Sequence, residues 1–311
     1  MSILYELACC TMAMYVVRPF DPWRSPLCTC PTKYVLHPYT GCGHRCLYCY
    51  ASSYIRDFFN PRPKKDLRSK LIKDLKLISP GNIIEVSTSS DPYTPPEESL
   101  SITREAIFEI LKQGYKLLIT TKSTLVLRDL DLLLRYKDRV AVAITITTLD
   151  NRIASVLEPG APRVTERLKV VKLLSKSGIP TLVRIDPIVP YVNDDFTGIV
   201  KLVERVAEAG AIQITSSTYK ARPDSLKRLL KAFPEISSLL LEAYKTGDKI
   251  GGYMYLRSED RLEYMKKVRD AATGAGLAFN TCREGFPELA TKDFSCDGSS
   301  LIGRYRSVVK T

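Results

Sequence analysis

A parallel α/β fold, a partial (β/α)6 TIM-like barrel with an N-terminal extension and a helix-rich C-terminal segment, is what this 311-residue sequence predicts. Three observations carry that expectation. From Lys33 onward, short apolar β-rich runs alternate with helix-period segments about every thirty residues, the rhythm of βαβ units. The run Val140-Ala-Val-Ala-Ile-Thr-Ile146 is apolar almost throughout, as a strand covered on both faces must be. Gly114, Gly178 and Gly210 each fall after a helical pattern and before a strand run, where a left-handed residue ends a helix.

Taken in order, strands are expected at 33–38, 82–88, 116–121, 140–147, 180–186 and 211–216. Between them, Ile107, Ile110 and Leu111, then Val164, Leu168 and Val171, then Ile199, Val203 and Val206 recur at helix spacing. Six such units joined by right-handed crossovers curl into a partial barrel. Residues 33–216 are therefore the expected core, 1–32 an N-terminal extension and 217–311 a C-terminal segment packing on the barrel. Functional groups in such barrels collect where strands end and βα loops begin.

Composition narrows the partners. Hydrophobic residues make up 45% and charged residues 26%, the balance of a globular enzyme rather than a disordered or fibrous chain. No run approaches the ~20 apolar residues of a membrane span. The apolar opening from Met1 to Met14 lacks a basic start and carries Glu6, so a secretory signal is not expected and the protein reads as cytoplasmic, with no membrane partner. A net charge of +12, from 46 basic and 34 acidic residues, suits a nucleic acid or other polyanion, although many of these lysines fall on expected solvated helix faces.

Directly after the first expected strand stands Cys42-Gly-His-Arg-Cys46-Leu-Tyr-Cys49, a CxxxCxxC loop. Three thiolates so close together point to metal chemistry. A four-iron, four-sulfur cluster normally takes four cysteines, so three leave one iron open to an external ligand. A zinc-stabilised interaction module is the competing reading, but structural zinc sites are closed by four ligands, usually in paired CxxC units. Only His44 lies inside this loop. Of the nine cysteines, Cys28, Cys30, Cys282 and Cys296 make a second four-thiolate set, the basis for an auxiliary iron–sulfur cluster; dispersed buried thiols are its alternative. Adjacent Cys9 and Cys10 are left unassigned.

The stretch His37-Pro-Tyr-Thr-Gly-Cys42-Gly-His-Arg-Cys46-Leu-Tyr-Cys49-Tyr-Ala51 resembles the radical S-adenosylmethionine (SAM) superfamily, within it the spore photoproduct lyase-like group often labelled DNA repair photolyases. Further matching stretches follow in order: Thr88-Ser-Ser-Asp91-Pro-Tyr-Thr-Pro-Pro-Glu97, Thr120-Thr-Lys122-Ser, Thr147-Thr-Leu-Asp150, Glu158-Pro-Gly-Ala-Pro162 with Arg167, and Ile185-Asp-Pro-Ile-Val-Pro190 with Asn193-Asp194. The resemblance implies a four-iron cluster on Cys42, Cys46 and Cys49, reductive cleavage of SAM to a 5′-deoxyadenosyl radical, and a one-electron reductant such as flavodoxin or ferredoxin. An iron–sulfur nucleic-acid-binding or redox-sensing protein without radical catalysis is the rival.

Residue roles follow from strand ends and from the resemblance together. Asp91 and Glu97 are candidates to hold the cofactor's ammonium, with Ser89 and Ser90 supplying further hydrogen bonds; a Pro-rich turn is the plainer reading. Lys122 suits the cofactor's carboxylate, or is a solvated lysine. Thr145 and Thr147 share a strand face and can meet the ribose or methionine moiety, or merely cap the sheet. Arg184 and Asp186 share another, as cofactor or substrate contacts or as an internal ion pair. Tyr48 occupies the position where the superfamily commonly sets an aromatic ring near the adenine. In spore photoproduct lyase a hydrogen-donating cysteine precedes the Ser-Asp pair; here Val86-Ser-Thr-Ser89 has none, so repair of the spore lesion itself is not expected.

Overall fold

The computed structural model describes residues 14–20 and 25–304. Cys9 and Cys10 lie outside them. Eight strands form one sheet in chain order: β1 Val17–Pro19, β2 Tyr34–Leu36, β3 Ile83–Val86, β4 Lys116–Thr121, β5 Val140–Thr145, β6 Thr181–Ile188, β7 Gln213–Thr218 and β8 Ala278–Thr281. Neighbours from β2 to β8 pair in parallel, and β1 runs antiparallel along the β2 edge, Val17 opposite Leu36. Strands β2 to β7 fall where the sequence places them. The sheet also takes a strand from each flanking segment, β1 from the N-terminal side and β8 from the C-terminal side.

Helices α1 Leu67–Leu75, α2 Ile102–Lys112, α3 Asn151–Leu157, α4 Val164–Lys176, α5 Phe196–Glu208, α6 Pro223–Ala232, α7 Ser237–Lys245 and α8 Ser258–Gly274 fill the connections. The helix-period stripes face the sheet: Ile107, Ile110, Leu111, Val171, Ile199, Val203 and Val206 are buried against Ile84, Leu117, Ile119, Val142, Ile144, Val183, Ile185 and Ile214. Among the described residues no helix is long and apolar enough to cross a membrane.

Alternation along each strand aims the other side chains into the barrel lumen. Leu118, Ala141, Ala143 and Leu182 meet there, and the alanines leave room for a second chain segment. Leu301 packs on these four and Phe294 lies against them, so that residues 294–302 sit inside the curled sheet. Polar anchors hold the insertion: Lys33 Nζ lies 2.5 Å from Asp297 and 2.6 Å from Glu85, all three buried. Gln213 donates to the Ser295 carbonyl at 2.8 Å and Thr215 to the Cys296 carbonyl at 2.9 Å. The opposite end of the lumen, at the carboxyl ends of the strands, carries the polar groups of the site.

Candidate active site at the cysteine loop

The loop after β2 is pinned by backbone bonds from three sides. Cys42 N donates to the Phe58 carbonyl at 2.7 Å, Leu47 N to Leu157 at 2.8 Å, and Gly160 N to His44 at 2.9 Å. Two glycines permit the approach. Gly41 has φ +89°, and a Cβ on Gly160 would stand 2.2 Å from the Gly43 carbonyl oxygen. Cys42 and Cys46 are buried and Cys49 half-buried. Burial pushes the Cys42 thiol up to about 12 and those of Cys46 and Cys49 upward as well, so a bound cation must supply the charge that makes them thiolates. Among the described residues no three His, Cys, Asp or Glu side chains close around a single ion.

Asp91 joins the loop to the strand ends. Its Oδ1 accepts from Tyr93 N at 2.9 Å and Thr121 Oγ1 at 2.7 Å, and its Oδ2 accepts from Lys122 N at 2.8 Å. His44 Nδ1 approaches Oδ2 at 3.3 Å. Burial alone would raise this carboxyl, but His44, the Lys122 amide and the Thr121 hydroxyl outweigh it and hold the group down at about 2. Its oxygens are thus already engaged by protein donors.

Lys122 reaches toward the thiols. Its Nζ stands 5.6 Å from the centre of the Tyr48 ring, and no hydrogen bond or ion pair to that nitrogen occurs among the described residues. Burial depresses a lysine, yet Cys46 and Glu158 beside it raise Lys122 above its ordinary value. Below it, the Tyr48 hydroxyl donates to Glu158, whose other oxygen lies 2.5 Å from Arg167 Nη1. Glu158 and Arg167 are each 1% exposed, so neither is a surface charge. Arg167 also donates to the Thr145 carbonyl at 3.1 Å, and the Thr147 hydroxyl comes within 3.5 Å of Glu158. Tyr48, Lys122, Thr145 and Thr147 therefore come together around the cysteine loop.

Farther round the mouth, Arg184 pairs with Asp186, whose Oδ1 accepts from Ser217. Burial would raise Asp186, but Arg184 and Lys220 lower it. Lys220 Nζ lies 3.0 Å from Glu284, which also accepts from Thr218 N at 2.8 Å and faces Arg261 at 3.2 Å. The expected ion pair is present, and it neighbours the Lys220–Glu284–Arg261 group, of which Glu284 and Arg261 are buried and Lys220, like Arg184 and Asp186, half-buried.

Three candidates are turned elsewhere. Glu97 is directed away from an ammonium role: it is fully buried, accepting from Tyr39 at 2.8 Å, Thr103 N at 2.9 Å and Arg128 at 2.6 Å. It ties the turn before α2 to the loop after β4. The Ser89 hydroxyl and amide both contact His37 Nε2, at 2.9 and 3.1 Å, while Ser90 donates to the Tyr39 carbonyl at 3.1 Å. Half-buried His37 is held down at about 3, by desolvation first and then by Lys64, which keeps its Nε2 an acceptor for the Thr88 and Ser89 amides. Glu158, Arg167, Lys220 and Glu284 were not singled out as site residues from sequence, although Glu158 opens and Arg167 follows one of the matching stretches.

Residues 36–203, more than half of the chain, match the family model described as the Radical SAM superfamily. An uncharacterized protein of Acidianus two-tailed virus is 30% identical over 191 residues, covering 56% of this chain and 63% of the viral one; the chain thus spans less than two thirds of that relative. A Radical SAM Nalpha-GlyT isomerase of Pseudomonas phage M6 is 25% identical over 262 residues, covering 79% of this chain and 53% of the phage protein. In fold, the chain is similar to a spore photoproduct lyase mutant with bound AdoMet and dinucleoside spore photoproduct, with a TM-score of 0.65 at 19% identity, over 84% of this chain and 79% of that one.

Proposed function

The chain belongs to the radical SAM superfamily, and from that premise we propose that it cleaves SAM reductively at a cluster on Cys42, Cys46 and Cys49 and abstracts hydrogen from a nucleic-acid substrate. When bound, the four-iron cluster supplies the electron that breaks the cofactor's carbon–sulfur bond and yields a 5′-deoxyadenosyl radical. The observation that carries the reading is Lys122: a half-buried cation without a hydrogen-bonding partner among the described residues, beside Cys46 and over Tyr48. It is poised to pair with the cofactor's carboxylate. Tyr48, fixed by Glu158, offers the adenine a ring whose orientation is set before binding. Asp91 acts by holding Lys122, Thr121 and the His44 turn in register. Electrons would come from a small donor such as flavodoxin or ferredoxin.

The substrate class rests on the rim. Tyr50 meets Tyr253 edge-on with ring centres 6.2 Å apart, and Tyr54 lies 6.3 Å from Tyr50. The Arg222 and Arg283 guanidinium groups each stand 4.6 Å from the Tyr253 ring, and neither Nε has a hydrogen-bond partner. Tyr253 is buried beneath the two guanidinium groups, which leaves exposed Tyr54 and half-buried Tyr50 as the rings able to meet a base beside a basic group. The triad chemistry does not require Cys28, Cys30, Cys282 or Cys296.

Anaerobic turnover with SAM and a strong reductant, with and without lesion DNA, ordinary DNA and RNA, tests this. The expected product is 5′-deoxyadenosine, with the spore lesion left unrepaired. A fully clustered protein that forms none would favour a binding or redox-sensing role instead, and efficient conversion of the spore lesion to two thymines would overturn the weight placed on the cysteine-free Val86–Ser89 stretch.

A further inference from the structure

Four cysteines outside the loop come from distant segments, and the fold gathers them in and above the lumen. Cys296 rides on the inserted segment, fixed through its carbonyl to Thr215. Its Sγ lies 3.3 Å from Cys30 Sγ, a contact spanning 266 residues of sequence. Cys28 stands two residues before Cys30, its amide donating to the Ser25 carbonyl at 3.1 Å. Cys282 follows β8 directly; its amide donates to the Ser216 carbonyl at 2.9 Å, next to the Thr215 hydroxyl that holds the Cys296 carbonyl.

We infer that Cys28, Cys30, Cys282 and Cys296 hold a second iron–sulfur centre, with two cysteines per iron and Cys30 and Cys296 sharing one of them. This inference is independent of the SAM chemistry.

The close pair decides among the uses such thiols have. A disulfide needs sulfurs about 2.05 Å apart, so Cys30 and Cys296 would have to close by more than an ångström. Two thiolates on one tetrahedral metal, with bonds of about 2.3 Å, sit about 3.8 Å apart, an opening of only about half an ångström. A single zinc ion would need all four thiols around one point, whereas among the described residues the sulfur–sulfur contact is between Cys30 and Cys296 alone. A two-iron cluster asks for four cysteines in all, two at each iron.

Charge supports the same reading. Lys33 and Arg283 act on Cys28, and Arg184 and Lys220 act on Cys282. Cys296 is buried and the other three are half-buried; of the four cations, Lys33, Arg184 and Lys220 already pair with carboxylates, which leaves Arg283 as the unpaired charge nearest the thiols. The centre would stand directly against the Arg184–Asp186 pair at the mouth, within the same lumen as the SAM site.

The test uses the full-length chain, reconstituted anaerobically with iron and sulfide. A variant with Cys42, Cys46 and Cys49 all replaced by alanine should retain about two irons and two sulfides per chain and show a paramagnetic signal on reduction that SAM leaves unaltered. Cys30→Ser with Cys296→Ser, in the otherwise natural chain, should lower iron by about two per chain while the SAM-responsive signal persists. Cys28→Ser, at a half-buried position, should lose the same iron with little packing loss, which separates ligand loss from misfolding. A triple variant holding no iron, one zinc or four irons would overturn the assignment, as would a Cys30–Cys296 disulfide in anaerobically isolated protein.

Discussion

Replacing Asp91 by asparagine separates two roles that a carboxylate beside this cofactor can have. Its carboxyl is lowered from the ordinary 3.8 to about 2, which at about 1.4 kcal/mol per tenfold corresponds to roughly 2.5 kcal/mol of stability at neutral pH. The contribution is fully present above about pH 4, where the unfolded group is ionised, and fades as pH falls toward 2 and the folded group protonates. Asparagine keeps the shape but must turn an amide N–H toward a donor, either the Lys122 amide and His44 or the Tyr93 amide and Thr121. Denaturant unfolding of the cluster-free Asp91→Asn chain at pH 7 should therefore show a loss of about 2 to 3 kcal/mol, shrinking between pH 4 and pH 2. If Asp91 instead contacted the cofactor's ammonium directly, stability would be unchanged and SAM affinity alone would drop. That pattern would refute the positioning role.

Three further outcomes are expected. Lys122→Ala should weaken SAM binding by about 1.5 to 3 kcal/mol, tenfold or more, while iron content stays at the natural level; equilibrium binding to the clustered protein measures it. Glu158→Gln leaves Arg167 buried without its counter-charge and should destabilise the fold by about 3 to 5 kcal/mol, against about 1 kcal/mol for Tyr48→Phe, as read by denaturant midpoints. Gly160→Ala forces a Cβ to within 2.2 Å of the Gly43 carbonyl oxygen, so the triad should lose its cluster, which visible absorbance after reconstitution would show.

The residues explain what could and could not be read in advance. Strands β2 to β7 announce themselves because each is an apolar run followed or preceded by a helix-period stripe. Strand β8 has only Ala278-Phe-Asn-Thr281, with polar Asn280 buried, so it carries no such run. The one available signal was Gly276, at φ +71° after α8, repeating the helix–glycine–strand pattern of Gly114, Gly178 and Gly210. Edge strand β1 contains Pro19, which demotes any sequence run. At the site, the positions of the CxxxCxxC loop after β2 and of Lys122 after β4 can be read in advance because each follows a strand that the sequence shows. Glu97 misled because its sequence neighbours suggested Asp91's company, while its real partners, Tyr39 and Arg128, are distant in the chain. Glu158 likewise serves Tyr48 across 110 residues, a pairing that periodicity cannot reveal.

The segment lodged inside the curled sheet has a consequence for how the protein is made. On the ribosome, residues 294–302 emerge after every strand, so the nascent barrel has a wet apolar hollow at Leu118, Ala141, Ala143 and Leu182 until they arrive. Roughly 250 residues separate Cys49 from Cys296, which at 5 to 20 residues per second is on the order of ten to fifty seconds of translation. The triad's own cover, at Phe58, Leu157 and Gly160, is made long before that, whereas Cys30 waits for Cys296 until the chain is nearly complete, so a centre that uses both can be loaded only at the end of synthesis.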